Sequence, residues 1–404
     1  MKILFYNHTG KVSGAERVLL TILTRLDRER FQPLLVCPAD GPLKAMAEDI
    51  NVRTLVSEPL KARFTWRPER LIQYLISLIQ IVREVRATIR AESPDVVHAN
   101  SIRAGLVVSA ATTGMRMPII WHVHDLLPRH PLSSGIRLFA ALTNRNRIVA
   151  VSEAVARRFR GRVLTLFTRR VPIFTIHNGI ELQKFDPNRS HRESIRRSLG
   201  ADANALLIAI VGQLTPRKGQ LELVRAFAEI SGDFSQARLL IIGDPIFNSD
   251  REYRDLIHSE TQELGLSDRI QLLGARDDVP ELLQAFDLSV VNSRAEPFGL
   301  TVVEAMASCT CVLATAVDGI QEIVEHRQTG WLVPPNDHDE LVAALGRLLS
   351  DATLRSQLAK KALAEVHQRF SADRLMNQFE ALYRQMIDRN KLPAEIKLLV
   401  TSRT

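Results

Sequence analysis

Two glutamates bracket a turn in "RAEPFGLTVVEAMA", residues 294–307. Glu296 stands before Pro297, Phe298 and Gly299, and Glu304 lies inside the helix that "LTVVEAMA" predicts from near Leu300. Paired carboxylates suit general acid–base work on a bond held between them. They equally suit a grip on sugar hydroxyls, because an ionised carboxylate is acceptor-only with two oxygens to offer. The turn would also aim the first free N–H groups of the helix, those of Leu300 and Thr301, at a ligand. Spacing alone leaves these readings open.

A second constellation, "VGQLTPRKGQLELVRAF", follows one predicted strand and opens the next predicted helix, with Gly212, Arg217, Lys218 and Gly219 at the junction. Glycines permit close backbone approach, a helix N-terminus favours an anion, and two cations can pair with phosphate oxygens. The order is not that of a Walker A loop, in which the lysine follows the glycine and precedes Ser or Thr. Here Lys218 precedes Gly219, and Gln220 follows. A strand–helix turn that merely exposes two cations reads the same.

Such groups need a rigid frame. Short apolar runs at 2–7, 32–38, 95–100, 118–125, 147–152 and 174–179 alternate with amphipathic stretches such as "GAERVLLTILTRL". That alternation marks parallel strands covered on both faces. The pattern restarts with strand candidates at 205–213, 237–244, 269–274, 287–293, 311–317 and 330–335. The fold class is therefore α/β, two Rossmann-like doubly wound sheets in tandem, with ligands expected in a cleft outside the carboxyl ends of the strands. The expected domains are 1–185 and 186–370, followed by a crossover helix at 371–390 that packs on the first domain and a tail at 391–404.

The motifs together are far more specific than either alone. "GQLTPRKGQ", "EPFGLTVVEAMA" and "VDGIQEIVEHRQTGWLVPPND" resemble the donor-binding half of glycosyltransferase family 4, the retaining enzymes of GT-B fold. "SGAERVLL", "PDVVHAN", "HVHDLLP", "VSEAV" and "HNGI" resemble the family's first half in the same order, so the likeness covers nearly the whole chain. The resemblance implies a nucleotide-sugar donor whose diphosphate faces Arg217, Lys218 and the Leu300 and Thr301 amides. Glu304 would take the ribose, Glu296 the donor sugar, Gly14 would lie by the diphosphate and acceptor, and His124 would reach the transferred sugar. On this reading His124 and Glu296 are orienting groups in a same-face transfer, and the acid–base pair first suggested by the glutamates is discarded. Against the family pattern, Gln213 replaces a frequent arginine, and Ser13-Gly14 and Asp318-Gly319 stand where Gly-Gly is frequent.

No metal and no cofactor beyond the donor substrate is expected. Asp337-x-Asp339 reads as the acidic start of a helix, where carboxylates are favoured. His122 and His124 are read as facing opposite sides of a strand, and His98 as structural. The same cleft would serve a GT-B epimerase of nucleotide sugars, or a catalytically silent sugar-nucleotide-binding partner of a polysaccharide assembly complex. Intact Lys218, Glu296, Glu304 and His124 favour transfer to a glycan or lipid-linked hydroxyl.

Composition narrows the setting. Three cysteines without a second Cys/His pair at zinc spacing read as core thiols of a cytoplasmic protein, and "MKILFYNH" reads as a first strand, not a signal peptide. "LIQYLISLIQIVREV", 71–85, is too short and too interrupted to span a bilayer. Ten arginines against Glu153 between 129 and 170 give that region +9 of the chain's net +8, leaving the rest at −1. With aromatic content at 5 % and no zinc-finger or RNA-recognition signature, nucleic acid is not the expected partner. A phosphate-bearing substrate or the inner face of an anionic membrane fits the patch with fewer assumptions.

Overall fold

The computed structural model describes residues 1–60, 68–142, 145–161, 171–187, 192–202, 204–246 and 250–387, with the side chains of 68–75 outside that description. The expected tail at 391–404, and Arg162, Arg169 and Arg170 of the basic region, lie outside the described residues. The chain divides into two units, Met1–Gly179 with Ala372–Thr404, and Ile180–Ser371. The division falls after Gly179 and not after residue 185 because Ile180 is tied to the second unit. Its N–H donates to Phe370 O (2.9 Å), and it bridges to Ser371.

Unit 1 runs β1 (Lys2–Tyr6), α1 (Gly14–Arg25), β2 (Gln32–Cys37), α2 (Leu43–Asp49), β3 (Arg53–Val56), α3 (Pro68–Glu92), β4 (Val96–Ala99), α4 (Ile102–Ala111), β5 (Ile119–Val123), α5 (Pro131–Ala141), β6 (Asn146–Ala150), α6 (Glu153–Arg160) and β7 (Ile173–Thr175). Its sheet is parallel throughout, in the order β3-β2-β1-β4-β5-β6-β7. Continuous β-branched and aromatic runs are buried on both faces, which is why β1, β4 and β5 read so plainly in sequence. β3 does not, because "RTLV" is an edge strand with no fully buried residue.

The apolar stretch at 71–85 lies within α3, which buries Ile81, Val85 and Ile89 at every fourth position. Among the described residues no helix is long and apolar enough to cross a membrane.

Unit 2 runs α7 (Arg192–Ser198), β8 (Leu206–Val211), α8 (Gln220–Ile230), β9 (Ala237–Ile242), α9 (Arg251–Glu263), β10 (Ile270–Gly274), α10 (Val279–Ala285), β11 (Leu288–Val291), α11 (Leu300–Ala307), β12 (Cys311–Thr315), α12 (Ile320–Ile323), β13 (Trp331–Val333), α13 (His338–Ser350) and α14 (Ala352–Arg369). Its parallel sheet is ordered β10-β9-β8-β11-β12-β13. Counted from its own first strand this is 3-2-1-4-5-6, and unit 1 has the same order with one strand added. Asp337 caps α13, accepting from Glu340 N (3.1 Å), as an acidic helix start should.

The last helix, α15 (Ala372–Ile387), belongs to unit 1. Its Phe379 and Tyr383 are fully buried against Phe5, Phe31 and His98, each such aromatic contributing about 2 kcal/mol or more by burial. The two units are thus two doubly wound domains, and α15 adds the last stretch of the chain to the first.

Candidate functional site

Ligands of doubly wound sheets sit outside the strand ends where the strand order reverses. In unit 2 that point lies between β8 and β11. The chain leaving β8 makes a short 3-10 turn, Pro216–Lys218, and passes through Gly219 at φ +68° into α8. A Cβ at Gly219 would overlap the Asn292 carbonyl just beyond β11, and Asn292 Nδ2 donates to Gly219 O (3.0 Å). Only glycine lets the two strand ends meet this closely.

That closeness makes one cluster of Lys218, Arg217 and Glu296. Lys218 Nζ donates to Glu296 Oε2 at 2.5 Å, and Ser293 Oγ donates to the same oxygen at 3.1 Å. Arg217 Nη1 stands 3.8 Å from it and donates to Ala295 O (2.8 Å). Burial pushes the Glu296 carboxyl up, but the Lys218 and Arg217 cations more than reverse this, holding it below its ordinary value and ionised. A ligand that engages both partners must carry an anionic group close to a hydrogen-bond donor, such as a hydroxyl.

The turn after Glu296 is fixed from both sides. Glu296 N donates to Asp318 Oδ2 (3.1 Å), and Gly319 N donates to Glu296 O (3.0 Å). Asp318 itself sits at φ +38°, in the region that favours glycine. Gly299, at φ +114°, caps α11. The helix ladder starts with Val302 and Val303 donating to Gly299 O (3.0 and 3.2 Å), so Leu300 and Thr301 precede it and present their amides at the helix start. Glu304 lies one turn on, buried, on the helix face that carries Leu300. Gln213, at the family's frequent arginine position, is held by Asp250 (2.9 Å). A pocket of about 220 Å³ opens beside the cluster, lined by Gly219, Asn292, Ser293, Thr315 and Asn336.

Unit 1 places different chemistry at its own reversal, between β1 and β4. Gly14 opens α1 just past β1, and His124 follows β5. A buried polar chain joins the two places. His124 Nε2 lies 3.0 Å from Asn100 Oδ1, Asn100 Nδ2 donates to Asn7 Oδ1 (3.0 Å), and Asn7 Nδ2 donates to Glu16 Oε1 (3.2 Å). The other Glu16 oxygen accepts from Ser13 N (3.0 Å) and Ser13 Oγ (2.6 Å). Burial drives the His124 imidazole down to about 3, so at neutral pH it is uncharged.

Sequence reading missed Asn7, Asn100 and Glu16. Both asparagines end their strands, and Ser13-x-x-Glu16 is a capping-box spacing, so a signal was present.

The expectation that His122 and His124 face opposite sides is wrong. Positions two apart in a strand share a face, and the rings are 4.0 Å apart between centroids. His98 is structural as expected, its Nδ1 2.8 Å from the Tyr383 hydroxyl.

The basic region is only partly a free face. Arg137 donates to the Phe159 and Arg158 carbonyls at the end of α6 (2.8 and 3.0 Å), and Arg160 pairs with Glu153 (3.6 Å). Arg129 and Arg157 are exposed.

Comparison with known proteins adds an independent line. The family model described as Glycosyltransferase Family 4 matches residues 12–184, and that described as Glycosyl transferases group 1 matches 191–364. The chain is similar to the Escherichia coli UDP-Gal:alpha-D-GlcNAc-diphosphoundecaprenol alpha-1,3-galactosyltransferase, 25 % identical over 93 % of this chain and 95 % of the relative. It is 29 % identical to the D-inositol 3-phosphate glycosyltransferase of Mycobacterium marinum, over 86 % and 75 %. Among solved structures it resembles Anabaena HepE in complex with UDP-glucose, with TM-score 0.79 and 29 % identity, covering 95 % of this chain and all of that one.

Proposed function

The chain belongs to glycosyltransferase family 4, and from that premise we propose that it moves a sugar from a nucleotide diphosphate sugar to a hydroxyl of a glycan or lipid-linked acceptor, with retention and without a metal ion. The observation that carries this reading is the buried Lys218–Glu296 pair at the reversal point of unit 2, beside the α11 amides. A nucleotide diphosphate sugar has the required neighbours: an anionic diphosphate directly bonded to a polyhydroxylated ring. The names of two of these proteins support it, since one is a UDP-Gal-dependent galactosyltransferase whose name gives a diphosphoundecaprenol acceptor and the other is solved with UDP-glucose.

In this mechanism the bond from the anomeric carbon to the diphosphate oxygen breaks, and its electron pair leaves with the diphosphate. The acceptor oxygen bonds to the same face, and its proton passes to the departing diphosphate. Lys218, Arg217 and the Leu300 and Thr301 amides stabilise the charge that develops there, and Glu296, Glu304 and His124 hold hydroxyls in place. Incubation of the protein with UDP-glucose or UDP-galactose and a sugar-diphospho-polyprenol, with and without EDTA, tests this. The reading expects UDP release with an α-linked product in both conditions. A β-linked product would remove retention, loss with EDTA would remove metal independence, and isomerised donor without acceptor would favour an epimerase.

A peripheral position on an anionic membrane surface is proposed alongside. Helix α5 is inverted: it buries Ser133 and Ala140 and exposes Leu132 (49 %) and Leu138 (42 %), with Leu142 (70 %) just beyond. Outward leucines on a helix that follows the exposed Arg129 closely in the chain suit the headgroup boundary of a bilayer. Sedimentation with anionic and neutral liposomes should show a salt-sensitive preference for the anionic ones, and equal recovery would rule the docking out.

A further inference from the structure

The polar chain in unit 1 has a sense that can be read bond by bond. Its far end is a carboxylate, Glu16, and a backbone carbonyl, Thr9 O, both of which only accept. Asn7 places its amide between them, 3.2 Å from Glu16 Oε1 and 2.6 Å from Thr9 O, so the atom there must be the NH₂ nitrogen. The Asn7 oxygen then faces Asn100, 3.0 Å away, which must turn its own NH₂ toward it and also toward Ala15 O (3.4 Å). The Asn100 oxygen is left for His124 Nε2 at 3.0 Å, and that nitrogen must be the donor. Reversing any one amide would set two acceptors or two donors against each other in a buried place, at Asn7, Asn100 and His124 alike.

We propose that Glu16, Asn7 and Asn100 are positioning residues that lock His124 as its Nε2–H tautomer, so that the nitrogen left for a ligand, Nδ1, is an acceptor and takes a hydrogen bond from a hydroxyl of the transferred sugar. The second half rests on the reading that His124 faces that sugar, and the first half does not. The consequence is chemical: His124 can orient a hydroxyl through its oxygen's proton, but it has no N–H to give that oxygen. The groups packed around the ring agree with a neutral imidazole. His122 lies 4.0 Å away between centroids, and His98 is 5.2 Å from His122, both also driven down by burial.

The test is nitrogen NMR of protein labelled with ¹⁵N-histidine, in which the two ring nitrogens of a neutral imidazole give separate donor-type and acceptor-type shifts. The His124 signals are assigned by their loss in His124→Gln. The wild type should show a single Nε2–H tautomer. Asn100→Ala, next to the ring, should show a mixture, and Glu16→Gln, at the far end, a smaller admixture, because Thr9 O still accepts from Asn7. Turnover of the nucleotide sugar that the protein binds should slow by about tenfold in Asn100→Ala, the loss of one neutral hydrogen bond, and by less in Glu16→Gln, with the KM for that donor unchanged in both. A wild-type Nδ1–H tautomer, or an undisturbed Nε2–H in both variants, would overturn the lock. The wild-type measurement decides even if a variant fails to fold. Addition of whichever of UDP-, GDP- or ADP-glucose the protein binds, but not of the matching free nucleoside diphosphate, should move the Nδ1 signal. A locked tautomer whose Nδ1 ignores UDP-, GDP- and ADP-glucose alike, although calorimetry shows one of them bound, would overturn the ligand contact and the site reading while leaving the lock standing.

Discussion

The two units share one strand order and fill its reversal point with opposite chemistry. Unit 2 places a buried ion pair there, Lys218 with Glu296, flanked by Arg217. Unit 1 places uncharged imidazole and amides there, with their single carboxylate, Glu16, at the far end of the chain. The shared frame therefore marks the same place in each unit, and the side chains at the strand ends set the chemistry offered there. Fixed charge suits a diphosphate that gains charge as it leaves, whereas a neutral network with a set direction suits hydroxyls that must be oriented without being ionised.

The sharpest way to break the contrast is to remove one charge from unit 2. Lys218→Ala leaves the Glu296 carboxylate buried without its closest cation, a cost of about 3–5 kcal/mol in stability, and on the proposed function removes a diphosphate contact. Chemical denaturation should show the loss, and calorimetry should show binding of the wild type's preferred nucleotide sugar weakened by about a hundredfold. Lys218→Met combined with Glu296→Gln should recover most of the stability and none of the binding. Recovery of binding would mean that the pair is a structural feature only.

Acid probes the other half. His98 and His124 are driven by burial to about 3, and His122 is lowered well below its ordinary value by the same cause. Their folded values lie below the unfolded one, so the unfolded chain takes up more protons as pH falls. The stability they give is complete above about pH 6.5 and is lost progressively toward pH 3. Neither ring nitrogen of His122 has a partner among the described residues, and its neighbour Phe379 is apolar. His122→Phe should therefore flatten the loss, retaining about 2 kcal/mol more stability at pH 5 than the wild type relative to pH 7.5. An unchanged slope of melting temperature against pH would place the acid sensitivity elsewhere.

The smallest effect sharpens the account of the turn. Asp318→Gly would relieve the backbone at φ +38° and remove the acceptor of Glu296 N, two opposing terms of about 1 kcal/mol each. A melting temperature within a few degrees of wild type is expected. A fall as large as that of Lys218→Ala would give Asp318 a part beyond holding the turn.

Most of the frame was legible in the sequence because parallel strands buried on both faces are continuous apolar runs. β3 escaped because an edge strand need not be apolar. At the site, Lys218, Arg217 and Glu296 announced themselves as charges beside glycines, and the structure brings them within one cluster. The Asn7–Asn100–His124 chain was not legible as a chain. Its members are far apart in sequence and of types that most often end strands without further role, and only the adjacency of β1, β4 and β5 makes them neighbours. The histidine pair was misjudged by treating positions two apart in a strand as opposite in facing.

The central claim is that unit 2 holds a nucleotide diphosphate sugar through Lys218 and Glu304. Calorimetric titration of UDP-, GDP- and ADP-sugars into the wild type, Lys218→Ala and Glu304→Ala tests it directly. The account expects the wild type to bind one of these donor classes and each variant to bind that donor at least about tenfold more weakly, the size of one lost polar contact. Wild-type affinity in both variants for every donor would contradict it.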